Sequence, residues 1–265
     1  MSNFFAFSKD KIEDLKRHKF LFEELVKRDF KKKYQGTILG MFWSILNPLL
    51  MLLVLAFFFG VFFARNTEHY IIYLFSGQII FGYFSEATSD GMRALLSNGA
   101  IFSKIDVPKY LFLFSKNVSY FINFCLILLI YFCFVVFYQL PITWKFLCLL
   151  FPIGCLVVMN LGFGLILSAW NMFYRDTEYL YGVVTRLVMY GSAIFYPTNA
   201  FPPFMQRIFY CNPIFCCIDY FRSVVIKGVI PGFELHALLI FYALLIFGIG
   251  AYIYKKNNYK FIYYV

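Results

Sequence analysis

Between Ile38 and Phe63 the chain runs for 26 residues without a charge, directly after a segment that holds ten Lys and Arg. In hydrocarbon only a helix or a closed barrel satisfies its own backbone polar groups, and about 20 apolar residues let a helix cross roughly 30 Å. The stretch therefore reads as a membrane-crossing helix whose basic flank stays on the cytoplasmic side. Composition extends that reading to the whole chain. Residues are 62% hydrophobic and only 14% charged, against about 25% charged in soluble domains. A single soluble core is excluded, and the expected fold class is all-α, a polytopic membrane protein. The net charge of +10 does not point to nucleic acid, because the positive residues gather at membrane borders. Anionic lipid headgroups or an acidic protein surface are the expected counterions.

Residues 8–33 read as an amphipathic interface helix, with Ile12, Leu15, Phe22, Val26 and Phe30 near one face and basic residues on the other. Apolar patterning then places six transmembrane helices at 38–63, 70–95, 110–138, 146–174, 178–196 and 235–254. The segment 197–230 is divided by Pro197, Pro202, Pro203 and Pro213 into pieces too short to span. A re-entrant helix pair at the outer face and a pair of surface helices both fit it. No composition shift divides the chain, so 1–265 is one transmembrane domain. Assigning Lys and Arg to loop ends gives eighteen inside and five outside, with Arg222 among the five. With an even number of spans, both termini are expected in the cytoplasm.

No P-loop is present, since Gly36 and Gly40 lack the Lys that a phosphate-cradling loop requires. His18, His69 and His236 are not spaced for a metal, so neither a metal site nor a catalytic site is expected. Of seven cysteines, Cys125, Cys133, Cys148 and Cys155 fall in spans and read as packing; Cys211, Cys216 and Cys217 lie in the outer segment as free thiols. Arg186 stands out. It lies about 13 Å along the fifth span, where a lone charge costs at least ~2.5 kcal/mol. Glu86 and Asp90, four apart on one helix face, are its candidate partners, and both structural pairing and binding of an anionic substrate head remain open.

Six landmarks in order now carry a resemblance. They are KRDFKKKYQGTILGMFWSILNPLL (27–50), YLFSGQIIFGYFSEA (73–87), SNGAIFSKIDVPK (97–109), NMFYRDTEYL (171–180), AIFYPTNAFP (193–202) and NPIFCCIDYFRSVVIKG (212–228). Over nearly its whole length the chain resembles the membrane permease subunits of bacterial ABC transporters that export polysaccharides such as O-antigen, teichoic acid or capsule. The resemblance implies a homodimer of six-span subunits in the bacterial inner (plasma) membrane, bound to two copies of a separate ABC ATPase that holds ATP and Mg. It implies a lipid-linked polysaccharide as cargo and no cofactor in this chain. Coupling to the ATPase is expected from the N-terminal helix, from Asn98, Phe102, Lys104 and Asp106, and from Tyr174, Arg175 and Asp176. Channel-lining aromatics are expected at Trp43, Phe58, Tyr190 and Tyr196, with Arg186 nearby. Lys31, Lys32 and Lys33 would stand at the cytoplasmic entrance, though topology alone also explains that basic block. The SKIDVPK run departs from the aromatic-Pro-Arg run common in relatives. A permease for a drug or small lipid, and a polytopic glycosyltransferase, are the alternatives.

Overall fold

The computed structural model describes residues 18–64, 67–104 and 107–264, which contain no strand. In chain order the helices are α1 (Lys19–Tyr34), α2 (Trp43–Phe63), α3 (Tyr70–Ser97), α4 (Tyr110–Phe137), α5 (Leu150–Phe173), α6 (Thr177–Gly191), α7 (Pro203–Phe209), α8 (Pro213–Val225) and α9 (Phe233–Asn257). A single turn, Gly99–Phe102, follows α3. Residues 8–17 of the expected interface helix lie outside the described residues.

The axis of the fold is α3, which packs on α2, α4, α5 and α8. Ile72, Leu74, Phe75, Ile79, Ile80, Tyr83 and Phe84 are all buried along it. Because protein encloses it, α3 tolerates polar residues that bond back to its own carbonyls: Ser76 Oγ donates to Tyr73 O at 2.7 Å and Thr88 Oγ1 to Phe84 O at 2.6 Å. Beside it α5 and α9 form the most extensive helix pair, and two glycines explain how close they come. A Cβ on Gly250 would stand 2.5 Å from Gly162 O, and one on Gly162 would stand 2.7 Å from Phe247 N. Small residues at a crossing let backbones approach where lipid supplies no hydrophobic drive.

Among the described residues, four stretches are long and apolar enough to cross a membrane: Gly40–Phe63, Tyr110–Phe137, Trp144–Phe173 and Phe233–Asn257. The other two expected spans differ for separate reasons. At 28 residues α3 is about 42 Å long, but Glu86, Asp90 and Arg93 lower its apolarity. The fifth, α6, has only 15 residues, about 22 Å, and stops at Gly191 where the sequence pattern continued to 196. There Ala193 adopts a left-handed backbone with φ 48°, and the chain turns toward Pro197.

Arg222 explains that turn. Its guanidinium is 4% exposed and donates to Ala193 O at 2.9 Å, Ile194 O at 3.1 Å and Tyr73 O at 3.1 Å. It also lies 3.4 Å over the Tyr73 ring centroid. Gly77 makes room, since a Cβ there would stand 2.9 Å from the guanidinium. The residue assigned from sequence to an outer border is thus a buried clamp between α8, α3 and the end of α6. Asn212 completes the joint. Its side chain caps α8 by accepting from Ile214 N at 3.0 Å and donates to Gly191 O at 3.1 Å, and Pro213 follows at the first helical position. Most of α8 is consequently buried, whereas Phe204, Met205 and Ile208 of α7 are exposed.

Candidate functional site

At the basic end of the helices, charges from four elements converge. The face of α1 that turns inward is centred on Leu25 and Asp29. Asp29, its side chain 4% exposed, accepts from Arg28 at 2.8 Å and lies 3.6 Å from Lys116 of α4. Arg28 also donates to Asn98 Oδ1 at 2.9 Å, and Ser119 Oγ donates to Val26 O at 3.1 Å. On α3, Asp90 accepts from the Tyr120 hydroxyl and lies 3.5 Å from Arg93 and 3.9 Å from Lys116. Arg93 Nε donates to Glu178 on α6 at 2.8 Å. Exposed ion pairs contribute about 0–1 kcal/mol each, so the half-exposed Arg93–Glu178 contact fixes orientation more than stability. The Asp29 carboxylate is withdrawn from water, so removing one of its partners costs more than breaking an exposed pair.

This network corrects the pairing expected for Arg186. Glu86 is held by Lys33 at 2.6 Å, and Asp90 is taken by Tyr120, Arg93 and Lys116. Arg186 is exposed and makes no ion pair among the described residues. It shares the outward face of α6 with Tyr179 (80% exposed), Val183, Leu187 and Tyr190, where the stem of a long side chain covers apolar surface.

The segments expected to meet an ATPase divide by exposure. Asn98 and Phe102 are buried: Asn98 Nδ2 donates to Ala94 O at 2.8 Å, and Phe102 packs on Phe112 with ring centroids 6.0 Å apart. They position the turn after α3. Lys104, Tyr174, Arg175 and Asp176 are exposed; the last three form the bend between α5 and α6, behind the buried Asn171. Asp106 lies outside the described residues. Lys31, Lys32 and Lys33 occupy the last turn of α1, where cations complement the helix dipole.

Of the four candidate channel aromatics only two come together. Tyr190 and Tyr196 meet at the end of α6, where the Tyr196 hydroxyl donates to Tyr190 O at 2.5 Å and its ring packs on Phe201 at 5.3 Å. Trp43 and Phe58 lie at opposite ends of α2, 15 residues apart or about 22 Å, and Phe58 is 63% exposed. The residues joining α2 to the tyrosine group are ones that composition alone did not single out. Phe59 stacks on Phe195 at 5.0 Å, and Phe195 lies 6.0 Å from Tyr190.

Elsewhere α2 is sparsely covered, with Leu53, Phe57, Val61 and Phe62 all exposed. Pro48, inside α2, removes one backbone donor and leaves Ser44 O without its helical partner. Across from the proline, Gln78 Nε2 donates to Pro48 O at 2.9 Å. A cleft of about 350 Å³ opens beside that bond between α2, α3 and α4. The fold thus offers a packed core of α3, α5, α8 and α9 carrying two lightly attached helices, α2 and α6, whose aromatic and apolar faces are left exposed by the described residues.

Comparison with known proteins bears on what such faces are for. The ABC-2 type transporter family matches residues 21–226. An O-antigen export system permease protein RfbA of Klebsiella pneumoniae is 26% identical over 247 residues, 91% of this chain and 95% of the relative. The protein of the same name from Myxococcus xanthus is 25% identical, covering 84% of this chain and 86% of its own. The polysialic acid transport protein KpsM of Escherichia coli is 24% identical, covering 89% and 93%. With a family match that spans most of the chain and both lightly attached helices, the protein belongs to the ABC-2 type transporter family.

Proposed function

We propose that this chain is the transmembrane subunit of an ATP-driven exporter that moves a lipid-linked polysaccharide outward across the bacterial inner membrane. The observation that carries the reading is the exposed face of α2 and α6, rich in Phe, Tyr and Trp, in a chain that aligns over 91% of its length with an O-antigen export permease and 89% with a polysialic acid transport protein. Two subunits facing each other through α2 and α6 would enclose a path lined by Trp43, Phe58, Tyr190 and Tyr196. Aromatic rings pack on the C–H faces of sugars without the fixed hydrogen bonds that would stall a sliding polymer. In this reading α3 and α6 supply the second and fifth of six spans, α7 and α8 form the outer re-entrant pair, and both termini are cytoplasmic.

ATP and Mg would be held by two separate ABC ATPase subunits. Their closure would be received by α1, by Lys104 and Asp106, and by the Tyr174–Asp176 bend. The Arg28–Asn98, Asp29–Lys116 and Arg93–Glu178 contacts would carry it to α3, α4 and α6. Lys31 and Lys32 would attract the carrier's phosphates at the entrance, with Lysine's compact charge suited to a phosphate that must leave again. Arg186, on the outward face of α6, would face the path.

The test is reconstitution of the chain with its cognate ABC ATPase in proteoliposomes. ATP-dependent passage of a lipid-linked glycan, lost when the permease is omitted, is expected. ATP-driven movement of a small lipid or drug with none of the glycan would refute the assignment.

A further inference from the structure

The cleft beside Pro48 continues into a second space of about 290 Å³, and the two share Asn47, Glu86, Asn123 and Ile127. Together they form one groove whose polarity is graded. At the basic end stand Lys33 and Glu86, paired at 2.6 Å, with Lys33 Nζ 4.7 Å over the Tyr120 ring. The carboxamides of Asn47 and Asn123 line the next stretch. Beyond them the walls are apolar, with Met51, Leu55, Ile79, Phe75 and Phe195. From Glu86 to Phe75 is eleven helical residues, about 16 Å. An opposite-charge pair, then amide donors, then a long apolar wall is the profile of one amphiphile standing parallel to the helices.

We propose that this groove binds a single zwitterionic phospholipid, with its phosphate on Lys33, its ammonium on Glu86 and one acyl chain along α2 and α3. The charge arrangement selects the headgroup. A phosphoethanolamine head exchanges the Lys33–Glu86 bond for two, whereas a lipid with only an anionic head would satisfy Lys33 but set its phosphate beside the Glu86 carboxylate. The amides of Asn47 and Asn123 lie where the glycerol ester carbonyls would accept. Gln78 binds Pro48 O inside the same groove, so the lipid would brace α2 at its proline. It would lie within one subunit, next to the path proposed for the polymer, which it meets at Trp43.

The experiment is native mass spectrometry of the purified full-length chain, offered phosphatidylethanolamine or phosphatidylglycerol with identical acyl chains. One phosphatidylethanolamine per chain is expected, retained about fivefold over phosphatidylglycerol, the size of one half-exposed ion pair. Glu86→Gln should bring the two lipids to equal retention. Met51→Trp, at a position already 47% exposed, should fill the groove and reduce retention of both. Equal retention by the unmodified protein, or undiminished retention by Met51→Trp, would overturn the proposal, and neither result depends on transport.

Discussion

Replacing Arg222 with Met keeps most of the side-chain volume while removing every donor that the guanidinium supplies to the joint between α6 and α8. Ile194 O would lose its partner outright. Ala193 O would keep only the Tyr73 hydroxyl at 3.3 Å, and Tyr73 O would keep Ser76 Oγ at 2.7 Å. One carbonyl fully orphaned and one nearly so, at about 1–3 kcal/mol each, gives a cost of roughly 2–4 kcal/mol. An opposing term exists, because removing a buried charge also removes its desolvation penalty, and apolar replacements of whole buried ion pairs are often neutral. That offset cannot win here, since the partners are backbone carbonyls that no substitution removes. The expected loss in thermal midpoint is on the order of 10 °C, read by size-exclusion of the detergent-solubilised protein after heating. Arg222→Lys should fall between, because one ammonium cannot fork to both carbonyls. If Arg222→Met melted within about 2 °C of the parent, the clamp would contribute nothing and apolar packing of α8 would hold the joint.

Gly250→Ala should destabilise the α5–α9 pair by about 1–3 kcal/mol, because the obstruction at 2.5 Å is the backbone oxygen of Gly162; unchanged thermal stability would mean that the helices separate freely. Asp29→Asn should cost about 1.5–3 kcal/mol by leaving Lys116, 14% exposed, with only the distant Asp90. Lys116→Met in that background should recover part of the loss, and an unrecovered loss would assign the effect to Arg28 alone. Cys211 is exposed while Cys216 and Cys217 are buried, so an impermeant thiol reagent added outside intact cells should label Cys211. Because Cys133 is exposed too, the control is the double variant Cys133→Ser/Cys211→Ser, in which persistent outside labelling would contradict the buried placement of α8 or the proposed orientation.

Hydropathy located features that depend on neighbours in sequence. The uncharged run after Lys33, the bend at Tyr174–Asp176 and the proline-divided segment after Pro197 were all legible because each reflects local composition. What depends on contacts across the fold was not. Arg222 looked like a border charge because counting by loops cannot distinguish an arginine facing water from one facing three carbonyls. A lone basic residue in a mostly apolar helix, PIFCCIDYFRSVV, was the available signal. Glu86 and Asp90 were read as partners for Arg186 on the strength of a shared helix face, yet α1 and α4 bring lysines closer. Neither Gly162 nor Gly250 carries any local mark of the crossing it permits, since 88 residues separate them. Asn98 and Phe102 were read as surface elements from their place in a border motif, and their side chains turn inward to shape the turn that displays Lys104.

The sparse attachment of α2 has a consequence for how such a chain diversifies. Folding is secured by α3, α5, α8 and α9, so a substitution at Leu53, Phe57 or Phe58 disturbs few contacts within the subunit. Exposed positions of this kind usually change stability by less than about 0.5 kcal/mol. In the proposed reading, sequence on that face is therefore free to drift with the cargo, while the glycine crossing and the arginine clamp are not. Selection for a new cargo and selection for a stable subunit act on separate residues, and the first can proceed without eroding the second.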